Sequence, residues 1–317
     1  MKKFKKILVP FAALTVALSL TACSTSSSNS SSSSQEATKV KIMTSNGEVE
    51  VAKNPKNVAV FDVAVLDFIQ RYNIKIENLA TAKISVPYLD DVIKGKDTLG
   101  SLKDPNYEAT STVKADIIFT AGRQKEFLEE LKKLGTVAYF EAQSENAFET
   151  MFKHNGEFAK IFGVEDKVAA DKVKFEKKIK EVSEKAKASG KKALIIMTNE
   201  GKITAFGPKS RFGFVHNLLG FEAADANIEA STHGAEINYE YISKVNPDII
   251  FYVDRNTVVK SKTNANAKTT LDNELVKATT AGKNGAIYEL EAQYAYLAPD
   301  GLTSFERMIE IVEKAVK

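Results

Sequence analysis

The chain has 317 residues, a length that suggests two domains, and its 44% hydrophobic fraction can bury cores of ordinary size. Its 44 basic and 41 acidic residues give a formal charge of +3, but four of the lysines fall within the first 22 residues; without them 40 basic residues face 41 acidic ones, so no global positive field points to nucleic acid. Cys23 is the only cysteine, which leaves no disulfide or thiol chemistry for the body of the protein, and tryptophan is absent.

At the start, MKKFKK is a basic head and ILVPFAALTVALSL an apolar stretch. That stretch is short of the ~20 residues a spanning helix needs. LTAC then sets small residues before Cys23, which resembles a bacterial lipobox. It implies a signal peptide over 1–22, cleavage before Cys23 and lipid attachment to its thiol. STSSSNSSSSSQE makes 23–38 a Ser-rich tether.

KVKIMTS and EVEVA alternate apolar and polar residues and predict a hairpin. KNVAVFD is a buried-type strand, VAVLDFIQRYNI has helical spacing, and IENLATA starts another strand. ADIIFTA is a strand, QKEFLEELKKLG an amphipathic helix ending at Gly135, and TVAYFEA the next strand. ENAFETMFKHNGEFAKIFG and EDKVAADKVKFEKKIKEVSEKAKASG are helical patterns with no strand between them. Strands return in KKALIIMTN, KITAFG, PDIIFYV and AIYELEA, separated by helices RFGFVHNLLG, YEYISKV and TLDNELVKATTAG. SFERMIEIVEKAVK is a terminal amphipathic helix. Strand–helix alternation on both sides of a helix-only segment predicts two α/β lobes, each on a parallel sheet.

NYEATSTVKADIIFTAGR (106–123) returns as NYEYISKVNPDIIFYVDR (238–255), with ten identical positions. Both copies end in arginine, separated from DIIF by three residues. Only five residues of the chain are Arg, and Arg123, Arg211 and Arg255 all stand where strands give way to loops; Arg71 and Arg307 fall in predicted helices and read as surface residues. Ligands of open α/β sheets sit beyond the carboxyl ends of strands. Three guanidinium groups there suit a guest with several negative charges. His233 lies in a loop of Gly, Ser and Asn, whereas His154 and His216 lie in helices. Tyr294 and Tyr296 fall in the loop before the terminal helix; a phenolate oxygen is a hard donor suited to Fe(III), and packing within the loop is the alternative. Glu108 and Glu240 open the two repeat copies, where a carboxylate favours a helix dipole; as a lobe-related pair they also suit two basic sockets on a two-fold partner. The sequence contains no GxSxG, HExxH, Walker or GxGxxG pattern, which argues for a binding protein and against an enzyme.

ADIIFTAGR, FGPKSRFGFVHNLLGF, STHGAEINYEYISKVNPDIIFYVDR and YAYLAPDGL resemble stretches of substrate-binding lipoproteins of ABC importers. The likeness is to the helix-linked, class III periplasmic-binding-protein-like group that carries ferric siderophores, haem and cobalamin, and within it to binders of petrobactin- and enterobactin-type ferric catecholates. It covers about residues 39–317. The resemblance implies two Rossmann-like lobes with central parallel sheets, 39–145 and 188–317, joined by a linker over 146–187 whose bridging α-helix falls at 146–162 and permits small rocking. It implies that Arg123, Arg211 and Arg255 neutralise the ferric catecholate, and that His233 and Tyr296, with Tyr294 as alternative, complete the iron shell of a tetradentate guest. Glu108 and Glu240 would dock the permease. No intrinsic cofactor is implied, Fe(III) arriving as its siderophore complex. The partners implied are an ABC permease with its ATPase and the membrane, through the lipid on Cys23, for a monomer on the extracytoplasmic face. A haem or corrinoid receptor of the same class is the alternative function.

Overall fold

A computed structural model of the chain describes residues 38–144, 146–231, 233–259 and 263–317. Cys23, the signal peptide over 1–22 and the tether up to residue 37 lie outside the described residues.

The alternating N-terminal stretches pair as an antiparallel hairpin, Lys39–Thr44 against Gly47–Ala52, and bury Ile42 and Val51 on one face. Next comes a five-stranded sheet in which every pair is parallel. Its order is Asp97–Thr98, Asn78–Thr81, Asn57–Val60, Ile117–Ala121, Val137–Phe140. Val58, Val60, Ile117 and Phe119 have no exposed surface, which is why these strands read as continuous apolar runs.

The second sheet runs in the order Ala235–Ile237, Lys202–Phe206, Lys192–Asn199, Ile249–Asp254, Ile287–Glu289, with Glu222–Ala223 also paired to Lys192–Asn199. It is mixed, not all parallel. Lys202–Phe206 returns antiparallel to Lys192–Asn199 because Glu200 (φ 53°) and Gly201 (φ 86°) form a two-residue turn with positive φ at both positions, the backbone that closes tight hairpins. Lys192–Asn199 and Ile249–Asp254 are parallel, and both aim their carboxyl ends the same way.

The repeat is visible as structure. Asn106 and Asn238 cap helices Tyr107–Val113 and Tyr239–Val245, accepting from Ala109 N and Tyr241 N. Both helices end in a left-handed residue, Lys114 (φ 49°) or Asn246 (φ 46°). The repeated aspartate then grips the neighbouring strand: Asp116 accepts from Lys56 N and Asn57 N at 2.8 Å, and Asp248 from Lys192 N at 2.8 Å.

Of the two helices in the stretch 146–187, Glu165–Ser189 is the one that runs from the first half to the second. Helix Ala147–Phe162 lies on the first half: Glu157 Oε2 accepts from Met43 N, Ile161 O from Asn54 N, and Phe158 meets Phe68, Phe119 and Phe140 edge-on. Helix Glu165–Ser189 begins against the first half, where Asp171 accepts from Arg71 at 2.7 Å and from Tyr72 at 2.9 Å. It ends beside the second, where a methyl on Gly220 would lie 2.6 Å from Ser183 Oγ. Arg71 is therefore no surface residue; its side chain is 15% exposed, paired with Asp171 and Glu306. Arg307 is half exposed, between Glu291 and Glu310. Terminal helix Leu302–Lys314 starts on Asp67 of the first half, whose carboxylate accepts from Thr303 N at 2.9 Å and Ser304 N at 3.0 Å.

Two predicted helices are broken. TLDNELVKATTAG forms Ala267–Leu271, Glu274–Lys277 and Thr280–Lys283, because Asn266, Asn273 and Thr279 each take a backbone amide and restart the chain. From Gly122 the chain makes a 3₁₀ stretch, Gly122–Phe127, then a short helix, Leu128–Lys132, that stops before Gly135. Buried Gln124 fixes the 3₁₀ stretch by accepting from Ala121 N at 3.0 Å.

Candidate functional site

Arg123 and Arg255 both enter the 3₁₀ turns that follow their strands. The second turn is held by Asp254, which accepts from Asn256 N at 3.1 Å and Ala267 N at 2.7 Å. Arg211 comes from a coil with no room for side chains at its glycines: Ser210 N donates to Gly207 O at 3.0 Å, and a methyl on Gly213 would lie 2.0 Å from Pro208 O. Tyr296 stands on a single π-helical turn, Gln293–Leu297, a local widening of the helix of the kind often found at functional sites.

These four residues meet. The guanidinium carbons of Arg211, Arg255 and Arg123 lie 4.7, 5.5 and 5.6 Å from the centre of the Tyr296 ring. Arg255 Nε donates to the Tyr296 hydroxyl at 3.0 Å, and its Nη1 to Asn199 Oδ1 at 2.7 Å. Arg123 and Arg211 donate to the Tyr296 carbonyl at 2.7 and 3.2 Å. One cation comes from the first half and two from the second. They line a cleft of about 880 Å³, together with His233, Lys103, Lys202 and Lys209.

The electrostatics follow from crowding. Burial lowers the Arg211 guanidinium to about 10, and the Arg123 and Arg255 charges add to the effect while Tyr296 opposes it; the group is still a cation at neutral pH. Burial likewise lowers Arg123. Burial alone would raise the Tyr296 hydroxyl, but the Arg255 hydrogen bond and the three guanidinium charges outweigh it and hold the phenol below its ordinary value. The cleft thus stabilises negative charge on oxygen.

The remaining candidates separate clearly. His233 is exposed on the cleft rim, its amide donating to Ser231 Oγ at 3.2 Å. Tyr294 faces elsewhere: its ring packs on Tyr88 with centroids 4.5 Å apart, so of the two tyrosines only Tyr296 lines the cleft. Glu108 and Glu240 are exposed in the first turns of the repeat helices, away from the cleft. His154 is buried against Phe140, and His216 Nδ1 is 3.1 Å from Phe221 O. Sequence reading missed Asn199, Asp62 and Asp300. Asn199 ends one predicted strand and Asp62 another, so asking which polar residue closes each strand would have found both. Among the described residues no three His, Cys, Asp or Glu side chains come together as metal ligands.

Comparison with known proteins decides the family. The periplasmic binding protein family matches residues 98–294. The petrobactin-binding protein YclQ of Bacillus subtilis is 36% identical over 319 residues, with 99% of each chain covered. The chain belongs to the periplasmic binding protein family. The crystal structure of YclQ superposes on this binding protein with a TM-score of 0.83 at 34% identity, covering 88% of this chain and 99% of that one. The iron uptake ABC transporter substrate-binding protein PiuA of Streptococcus pneumoniae gives a TM-score of 0.83 at 32% identity, covering 88% and 99%. The periplasmic catecholate-siderophore binding protein VctP of Vibrio cholerae gives 0.80 at 29% identity, covering 87% and 100%. The binding-protein fold, with helices around two sheets, is therefore shared with solved siderophore-binding proteins.

Proposed function

We propose that this protein captures an anionic ferric catecholate siderophore between its two halves and hands it to the permease and ATPase of an ABC importer for iron uptake. The observation that carries this reading is the convergence of Arg123, Arg211 and Arg255 on one cleft. Inside a partly screened cleft, one opposite charge at about 4 Å contributes roughly 4 kcal/mol before desolvation, so three fixed cations discriminate strongly for a polyanion. The names of the relatives support a catecholate of the petrobactin type as the guest.

In this reading the three arginines bind catecholate oxygens, and Tyr296, a phenol whose anion the site already favours, moves from its arginine contacts to iron when the chelate leaves coordination sites open. His233 supplies a second ligand from the rim. Glu108 and Glu240 dock basic sockets of the permease, one from each half. Fe(III) is cargo here and not a resident cofactor. Family membership supports work outside the cytoplasm, and Cys23 is the proposed point of lipid attachment.

Quenching of tyrosine fluorescence by ferric petrobactin tests the reading: saturable binding tighter than micromolar is expected. Haemin that binds tightly and develops a Soret band, with no response to the ferric catecholate, would replace it by the haem alternative.

A further inference from the structure

A cleft built for an anion should not also present bare carboxylates, yet this one does. Asp62 and Asp300 both line it. Asp62 is 7% exposed; its Oδ1 accepts from Ala64 N at 2.9 Å as the cap of helix Val63–Arg71, and among the described residues no group donates to its Oδ2. Asn or Ser would cap that helix without adding a charge. The Asp300 side chain is 15% exposed, and the basic group beside it is the His154 ring, whose Nδ1 lies 3.5 Å away without making a hydrogen bond. That buried ring nitrogen has no hydrogen bond of its own. Arg123, the nearest cleft guanidinium in electrostatic terms, spends its amino groups on the carbonyls of Tyr296 and Leu297 and forms no ion pair with Asp62. The third acid of the cleft, Glu141, is already taken by Lys125 at 3.1 Å.

We propose that Asp62 and Asp300 form a cation subsite beside the arginine triad, so that the preferred guest is a zwitterion: an anionic iron chelate that carries an ammonium group on its linker. The inference rests on the anion-cleft reading above and narrows it from anionic catecholates to amine-bearing ones. A protonated amine seated on these carboxylates removes the conflict of charges. It supplies the donor that Asp62 Oδ2 lacks, and it gives Asp300 the hydrogen bond that His154 Nδ1, 3.5 Å away, does not make. Burial, reinforced by Asp300 and opposed by the Ala64 amide and by His154 and Arg123, lifts the Asp62 carboxyl to about 7.

The test uses two ferric bis-catecholamide chelates of equal length, one with an alkane linker and one with a secondary amine at its centre, titrated calorimetrically into the mature protein. The wild type is expected to prefer the amine chelate by about tenfold, the scale of one partly screened charge pair. In Asp62→Asn, which keeps a capping oxygen, the amine chelate weakens while the alkane chelate binds as well or better; Asp300→Asn gives the same crossed response should the first variant fold poorly. Equal affinity of the wild type for both chelates, or variants that shift both alike, overturns the subsite and leaves the anion cleft standing. Failure of the wild type to bind either chelate overturns both.

Discussion

Tyr296 meets guanidinium groups on its ring from three directions, and its carbonyl holds two of the same groups. Each such contact contributes about 0.5–2 kcal/mol, yet three like charges side by side cost desolvation and repulsion. Arg211 feels this most, which is why its charged form is disfavoured in the fold. Arg211→Gln is therefore expected to weaken ferric catecholate binding by roughly 10–100-fold, the ~1.5–3 kcal/mol of a hydrogen bond to a charged group, without lowering the melting temperature. Calorimetric titration beside differential scanning calorimetry checks both halves of that statement, and a lower melting temperature with unchanged affinity would reverse it. The Tyr296 hydroxyl gives a second handle. The Arg255 hydrogen bond and charge favour the phenolate, so Arg255→Gln should move its titration to higher pH; ultraviolet difference titration against Tyr296→Phe isolates the signal. The arginines were legible in the sequence because a lysine-rich chain uses so few and repeats one of them. The choice between Tyr294 and Tyr296 was not, since it depends on a π turn that rotates one ring onto Tyr88 and the other into the cleft.

At the scale of elements, the repeat is a device for placing an arginine. Each copy caps a short helix with Asn, ends it in a left-handed residue, anchors the next strand by an aspartate and releases an arginine beyond the strand's carboxyl end. Asp116→Ala and Asp248→Ala are each expected to cost ~1–3 kcal/mol, by stranding backbone amides of the neighbouring strand. They sit in different sheets, so the costs should add; urea unfolding of the singles and the double shows whether they do. Strands were easy to read because parallel strands buried on both faces are unbroken apolar runs. Helix lengths were harder. Asn273 and Thr279 look tolerable inside the helical pattern TLDNELVKATTAG, but each side chain competes for a backbone amide and divides it. Both helices of the segment are amphipathic, and only tertiary contacts such as Asp171 with Arg71 and Ser183 beside Gly220 distinguish the one that runs between the halves.

At the scale of the whole molecule, two chain segments tie the halves together close to the site. Helix Glu165–Ser189 runs from the first half to the second, and the terminal helix, entered through the Tyr296 turn, begins on Asp67 of the first half. The central claim is that charge from both halves holds one polyanion. The most direct measurement compares ferric petrobactin binding by the wild type and by Arg123→Gln/Arg211→Gln/Arg255→Gln at low and physiological salt. The account predicts binding tighter than micromolar that weakens with salt in the wild type, and in the triple variant a loss of at least about 1000-fold with the salt dependence gone. A triple variant that binds as tightly as the wild type would contradict it.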